Sequence, residues 1–352
     1  MSRAIAGTRT ILRSRSCQGT RPATLRVRAS TAVEQKVSDT KFADYKPKTA
    51  FFFPGQGAQT VGMAKDVVAE VPAAKELFER ASDILGYDLL AVCAEGPKDK
   101  LDSTAVSQPA IYVASLAAIE KLRQTEGEDA VAAANVACGL SLGEYTALAF
   151  ADAFSFEDGL RLVKLRGESM QAAADAQPSS MVSVIGLDAE KCAELCEAAS
   201  KEAGPGKGVR IANYLCPGNY AVSGGVEGCE AVERLAKSFK ARMTVRLAVA
   251  GAFHTDYMQP AVEKLREALA GTKIVTPRIP VISNVDAQPH SDPDTIKDIL
   301  SRQVTSPVQW ETTLKTLLEK GLENSYEIGP NKVIAGTMKR IDKKHNFVNI
   351  TV

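Results

Sequence analysis

Apolar and polar positions along this chain fall into blocks whose repeat switches between the period of a strand and that of a helix. Thr49 to Phe53 is a short apolar run and reads as a strand. It leads into the glycine-rich loop Pro54-Gly55-Gln56-Gly57-Ala58-Gln59. Helices are expected over about 63–85, and Ser107-Gln108-Pro109 reads as the opening of another, with a serine cap and an early proline. Val131 to Cys138 reads as a buried strand and Leu142 to Phe150 as a helix. From Phe156 to Ala174, Phe156, Leu160, Val163, Gly167, Met170 and Ala174 recur at alternating spacings of four and three, the buried stripe of a helix. Arg166 and Lys164 flank that stripe on opposite sides, and periodicity does not choose between them.

The pattern then changes. Met181–Leu187, Val209–Cys216, Asn219–Gly224 and Arg242–Val249 read as strands, with helices at Asp188–Ala203 and Val226–Lys240. That β-α-β-β-α-β order is the ferredoxin-like unit. Beyond it come a helix at about 256–270, a strand Ile279–Asn284, a helix Asp298–Val304 and a last buried strand ending near Ile328, before a helix through Arg340. Strands alternating with helices predict an α/β body with a mostly parallel sheet. The expected units are 1–45, a leader and linker; 46–177 with 250–352, the main body; and 178–249, an inserted subdomain.

Composition bears mainly on the N-terminus. Residues 1–33 hold seven arginines, no lysine and no acid, amid serine, threonine and alanine. Removing those seven from 43 basic residues leaves 36 against 42 acidic ones. This is the composition of an organelle transit peptide, and such a stretch cannot bury a core of its own. A basic arm for nucleic acid is the alternative, but such arms usually carry lysine. No apolar run has the length of a membrane span. The seven cysteines include no C-x-x-C pair and no zinc spacing, so no metal site is expected.

The chemistry centres on Gly139-Leu140-Ser141-Leu142-Gly143, a G-x-S-x-G sequence between a predicted strand and a predicted helix. In a nucleophile elbow, small residues let the backbone turn sharply and present the serine oxygen. Ser141 and Glu144 also form S-x-x-E, an ordinary helix capping box. A neutral serine needs a base. Of three histidines, His290 lies in a polar loop and His345 follows two lysines near the C-terminus. His254, beside Phe253 at a helix start, is the remaining partner. Asp256, Asp286 or a backbone carbonyl would orient it. The loop 54–59 lacks the lysine and hydroxyl of a phosphate-binding loop. It reads instead as backbone that approaches a reacting atom closely.

Taken together, these residues resemble the malonyl-coenzyme A:acyl carrier protein transacylases of the FabD type. The likeness rests on Phe53-Pro54-Gly55-Gln56-Gly57-Ala58-Gln59, Gln108-Pro109-Ala110, the Ser141 elbow with Glu144-Tyr145, Leu165-Arg166-Gly167, Ala252-Phe253-His254, Asn284-Val285-Asp286 and Pro307-Val308-Gln309-Trp310. It implies an α/β-hydrolase-like large subdomain holding the ferredoxin-like insert, with the active site between them. By that resemblance Ser141 is the nucleophile, His254 the base, and the amides of Gln56 and Leu142 an oxyanion hole. Arg166 binds the malonyl carboxylate, Gln303 orients the histidine through its main-chain carbonyl, and Gln108 is a pocket residue.

The partners implied are malonyl-coenzyme A and acyl carrier protein, with no cofactor, no nucleic acid and a monomeric enzyme. Leu140 replaces the histidine usual before the serine; with the leader it points to plant and algal members and to the plastid, the mitochondrial matrix being the alternative. Two rival functions are a serine acyl hydrolase and a catalytically dead docking module. Lys332, Lys339 and Arg340 lie near the expected end of the cleft.

Overall fold

The computed structural model describes residues 39–352. The leader lies outside the described residues, except that residues 39–45, expected to belong with it, pack on the body. Phe42 is buried, Lys41 Nζ donates to the Pro277 carbonyl at 3.2 Å, and Asp39 accepts from the backbone of Ser291 at 2.6 Å. One buried phenylalanine and a carboxylate holding backbone amides are enough to fasten this short arm.

The strands, in chain order, are β1 (Thr49–Phe53), β2 (Val136–Gly139), β3 (Ser179–Ile185), β4 (Val209–Cys216), β5 (Asn219–Gly225), β6 (Met243–Arg246), β7 (Val281–Ile282), β8 (Asn324–Ile328) and β9 (Phe347–Ile350). Five of them form one parallel sheet in the order β7-β2-β1-β8-β9. Parallel sheets are covered on both faces, so their strands are apolar throughout. Here Phe51 and Phe53 enter the core on one face, while Ala50 and Phe52 enter the core on the other. Each buried phenylalanine contributes about 1.5–3 kcal/mol.

The second sheet is antiparallel in the order β4-β5-β3-β6. The helices Ala189–Ala203 and Val226–Leu235 pack on it around Val182, Val184, Leu195, Val222 and Val232. This is the ferredoxin-like arrangement, and it occupies residues 179–246. The fold is therefore α/β-hydrolase-like with a small inserted subdomain. The two parts join through Met170, Met181, Ala212, Phe253 and Val304, and through backbone bonds between Val308 and the β4 residues Ala212 and Tyr214.

Several elements differ from expectation. Val131 belongs to a short helix, Glu128–Ala132, and the strand before the serine has only four residues. The helix expected to open at Ser107 runs from Thr104 to Glu126 with Pro109 inside it. An interior proline costs about 3 kcal/mol; here every residue from Ser107 to Ser115 is buried, and tertiary packing outweighs that cost. Only Val281 and Ile282 of the expected 279–284 strand join the sheet, and only Met243–Arg246 of 242–249. The helix after β7 begins at Pro293, capped by Asp292, rather than at Asp298. Strand β9 was not expected at all; it is a half-buried edge with weak alternation. The six cysteines among the described residues are free and buried.

Candidate active site

Ser141 stands where β2 ends and the helix Leu142–Phe150 begins. Its φ of 54° and ψ of −104° lie outside the usual regions, at a cost of about 1–3 kcal/mol. The flanking glycines make the turn possible. A Cβ on Gly139 would lie 1.8 Å from the Gly143 carbonyl carbon, and one on Gly143 would lie 2.1 Å from the Phe53 oxygen. No larger residue fits either place. The capping-box reading fails here: the Ser141 side chain does not cap the helix, and Glu144 turns into the interior.

The serine oxygen has two partners. His254 Nε2 lies 2.9 Å away, and Arg166 Nη2 donates to it at 3.0 Å. His254 Nδ1 lies 2.9 Å from the Gln303 carbonyl, which can only accept. Nδ1 therefore carries the proton, and Nε2 presents its lone pair to the serine hydroxyl. His254 is 3% exposed. Burial, and secondly the Arg166 charge, pushes it down to about 4. It is thus a neutral imidazole at physiological pH, the form a general base requires. His254 also has a left-handed φ of 60°, so both members of the pair are held in strained backbone.

Arg166 projects from the helix Phe156–Ala176 and is 1% exposed. Nη1 donates to Gln108 Oε1 at 2.7 Å, and Nη2 donates to Gln303 Oε1 at 2.8 Å. Its guanidinium lies 5.4 Å from the Tyr145 ring centre. No carboxylate touches it, so a buried cation is held by neutral groups and is suited to receive an anion. Lys164, on the other flank of the stripe, reaches only the Leu85 carbonyl, at 3.5 Å, well away from the serine.

Gln56 and Leu142 line one cavity of about 590 Å³ together with Ser141, Arg166 and His254. Leu142 opens its helix, so its amide has no carbonyl of the preceding turn to meet. The small subdomain contributes Met181, Leu215 and Ala221 with the polar Asn213 and Asn219, and Leu247, just beyond it, adds a further apolar side chain. Gln108 and Gln303 stand behind Arg166 rather than in the cavity wall. Arg340 is at the cavity's edge. Of the acids considered as orienters, Asp256 faces Arg210 at 3.5 Å and Asp286 faces His290; neither meets His254.

A supporting network was not anticipated from sequence. Asn284 Oδ1 accepts from Ser141 N at 2.6 Å, and its Nδ2 donates to Gly139 O at 2.7 Å. Gln303 Nε2 donates to Ser141 O at 3.0 Å and to Glu144 Oε2 at 2.6 Å. Glu144 also accepts from Asn284 N at 3.1 Å. Burial raises the Glu144 carboxyl to about 7 against these bonds. The elbow peptide is thus gripped at both its N–H and its C=O. The sequence signal was faint: Asn284 ends a short apolar run, and Gln303 ends a helix.

A serine hydrogen-bonded to a neutral histidine, on a sharp strand–helix turn beside a buried arginine, defines a site for transferring an acyl group through an ester. Among the described residues no cluster of His, Cys, Asp and Glu is arranged to hold a metal, and no helix is long and apolar enough to cross a membrane. The acyl transferase domain family model matches residues 50–349. A probable mitochondrial malonyl-CoA–acyl carrier protein transacylase of Drosophila melanogaster is 42% identical, over 86% of this chain and 81% of the relative. The solved malonyl-CoA–acyl carrier protein transacylase of Coxiella burnetii superposes with a TM-score of 0.81 at 34% identity, covering 87% of this chain and 94% of that one. A malonyl-transacylase solved in complex with its type II PKS acyl-carrier protein gives a TM-score of 0.79 at 35% identity, covering 86% and 95%. This chain belongs to the malonyl-CoA–acyl carrier protein transacylase family.

Proposed function

We propose that this enzyme moves a malonyl group from malonyl-coenzyme A to the phosphopantetheine thiol of an acyl carrier protein, through a malonyl ester on Ser141. The observation that carries this reading is the placement of Arg166 Nη2 3.0 Å from the Ser141 oxygen, with His254 Nε2 2.9 Å away on the same atom. His254 takes the serine proton as Oγ attacks the thioester carbon. The amides of Gln56 and Leu142 receive the negative charge that develops on the carbonyl oxygen. The C–S bond breaks, and the proton passes from His254 to the departing thiolate. The carrier thiol then gives its proton to the same histidine and attacks the ester carbon; the C–O bond to Ser141 breaks, and His254 returns the proton to Oγ. Arg166 turns from the serine oxygen to the substrate carboxylate, which it meets with paired hydrogen bonds. Gln108 and the Gln303 side chain hold the guanidinium, and the Gln303 carbonyl holds the imidazole. The chemistry calls for no metal or redox cofactor.

Intact-mass measurement after mixing with malonyl-, acetyl- and methylmalonyl-coenzyme A tests this. The protein should gain a malonyl adduct in preference to an acetyl one, and Ser141→Ala should gain none. An adduct that persists in Ser141→Ala would overturn the assignment. Rapid turnover of malonyl-coenzyme A without carrier protein would favour the hydrolase instead.

The carrier-protein partner is supported by the solved relative bound to its acyl-carrier protein. The role belongs to dissociated fatty acid synthesis. The arginine-rich leader supports import into an organelle. Leu140 and the leader composition favour the plastid, while the Drosophila relative's name favours the mitochondrion. A fluorescent fusion of residues 1–45 decides between them.

A further inference from the structure

The loop that carries His254 is held from the small subdomain. Ser179 Oγ accepts from Ala252 N at 2.9 Å, and Ser223 Oγ donates to Phe253 O at 2.9 Å. Arg210, on β4, extends one nitrogen to two carbonyls: Nη2 donates to His254 O at 3.2 Å and to Thr305 O at 2.5 Å. Thr305 lies two residues beyond Gln303, whose carbonyl orients the imidazole. A single guanidinium nitrogen therefore ties the backbone of the histidine to the segment that aims its ring. The histidine needs such a tie, because its left-handed φ of 60° is one that only surrounding contacts sustain. Within its own loop, Thr255 Oγ1 donates to Ala252 O at 2.6 Å and leaves the His254 carbonyl to Arg210.

We propose that Arg210 is a positioning residue for acyl transfer: by bridging the carbonyls of His254 and Thr305 it holds the base in line with Ser141. The inference rests on the acyl-transfer reading of the site. It gives the small subdomain a part in the chemistry beyond walling the cavity. Asp256, largely exposed, faces Arg210 from the solvent side at 3.5 Å.

Arg210 has a second, electrostatic consequence of definite sign. The charged groups acting on His254 are Arg166 from the helix Phe156–Ala176 and Arg210 from β4, and both disfavour its protonation. The backbone at Gln303 and Ser306 works the other way. Removing Arg210 raises the proton affinity of His254, so the acid limb of activity moves to higher pH.

The test compares the full enzyme with Arg210→Met and Arg210→Lys, using malonyl- and acetyl-coenzyme A. Arg210→Met keeps the apolar stem. It should lower kcat about tenfold for both substrates, leave the malonyl-to-acetyl ratio and the malonyl KM within twofold, and move the acid limb upward. Arg210→Lys should return the acid limb and part of the rate. Ser223→Ala, which frees only the Phe253 carbonyl, should lower kcat to a smaller degree, and it carries the test if Arg210→Met does not fold. Wild-type kcat in a folded Arg210→Met would overturn the proposal, as would a selective loss of malonyl transfer. Ser141→Ala separates the two levels. If it abolishes transfer while the Arg210 and Ser223 variants are normal, only this inference falls. If it retains transfer, the reading of the site falls.

Discussion

His254 in the cleft and His290 at the base of the N-terminal arm are the same side chain brought to opposite charges. Burial disfavours the cation at both. At His254 nothing opposes burial strongly: Nδ1 meets a neutral carbonyl, Nε2 a hydroxyl, and Arg166 adds a like charge. The result is a base at about 4. At His290 each ring nitrogen meets a carboxylate, Asp39 at 2.6 Å and Asp286 at 3.0 Å. Two acceptors require two N–H groups, which only the cation has. Asp286 and Asp39 outweigh burial and lift it to about 9. The charge of the acceptor, more than the depth of burial, decides which histidine catalyses and which fastens.

The largest expected effect breaks the comparison on the catalytic side. His254→Ala should cut malonyl transfer by at least about a hundredfold, the usual scale for losing a general base. Measured kcat/KM on purified protein checks it. A loss below tenfold would mean that the serine is activated by something else. The wild-type acid limb of kcat/KM should lie well below the ordinary histidine range, near 4 in the free enzyme. A limb near 6.5 would show that the cleft does not hold His254 neutral.

Arg166→Ala sharpens the same contrast by removing the like charge. Malonyl transfer should fall about 10²-fold, given roughly 3 kcal/mol for a buried, charged, hydrogen-bonded pair. Acetyl transfer should be spared or rise, because a neutral acyl group no longer leaves the guanidinium unpaired. With acetyl-coenzyme A the acid limb should move upward, since the Arg166 charge is one of the causes that lower His254. Lys164→Ala is the control and should alter neither the ratio nor the limb. An unchanged malonyl-to-acetyl ratio in Arg166→Ala would assign the carboxylate to another residue.

What sequence revealed of this molecule follows from how local each cause is. β1 was legible to the residue because its apolar run stops at Pro54-Gly55, and the elbow helix Leu142–Phe150 because it opens directly after the turn at Ser141. The insert was legible because its short strands and helices follow one another in the β-α-β-β-α-β order of a ferredoxin-like unit. β7, with two residues, and the half-buried edge β9 carry too little pattern to be seen. His254 emerged by elimination, but Arg166 could not be told from Lys164, because both border the same stripe. Beyond the resemblance, the groups that aim these side chains left no local trace. Asn284 reaches Ser141 across 143 positions, and Gln303 reaches Arg166 across 137. Only the assembled sheet and the packed helices bring them together.

The smallest effect belongs to His290 and concerns stability rather than rate. Its folded proton affinity, near 9, exceeds the ordinary value of 6.5. Below 6.5 both folded and unfolded chains carry the proton, and the clamp's contribution is complete. Between 6.5 and 9 the unfolded chain releases the proton first, so stability is lost as pH rises. The melting temperature of the wild type should therefore fall by a few degrees over that interval relative to His290→Asn, at about 2–4 °C per kcal/mol for a domain somewhat smaller than this one. Asn keeps one donor but no charge, so its own profile should be flatter there. Other groups shift stability with pH, Glu144 among them, but they are shared by both proteins and cancel in the difference. Transfer at pH 7 should stay within twofold of wild type, because the hydrogen bonds of His290 go to Asp39 and Asp286 and not to the cleft or to Asn284, Glu144 and Gln303. If rate falls together with melting temperature, the loop from Asn284 to Asp292 transmits the clamp to the elbow, and the two histidines belong to one device rather than two.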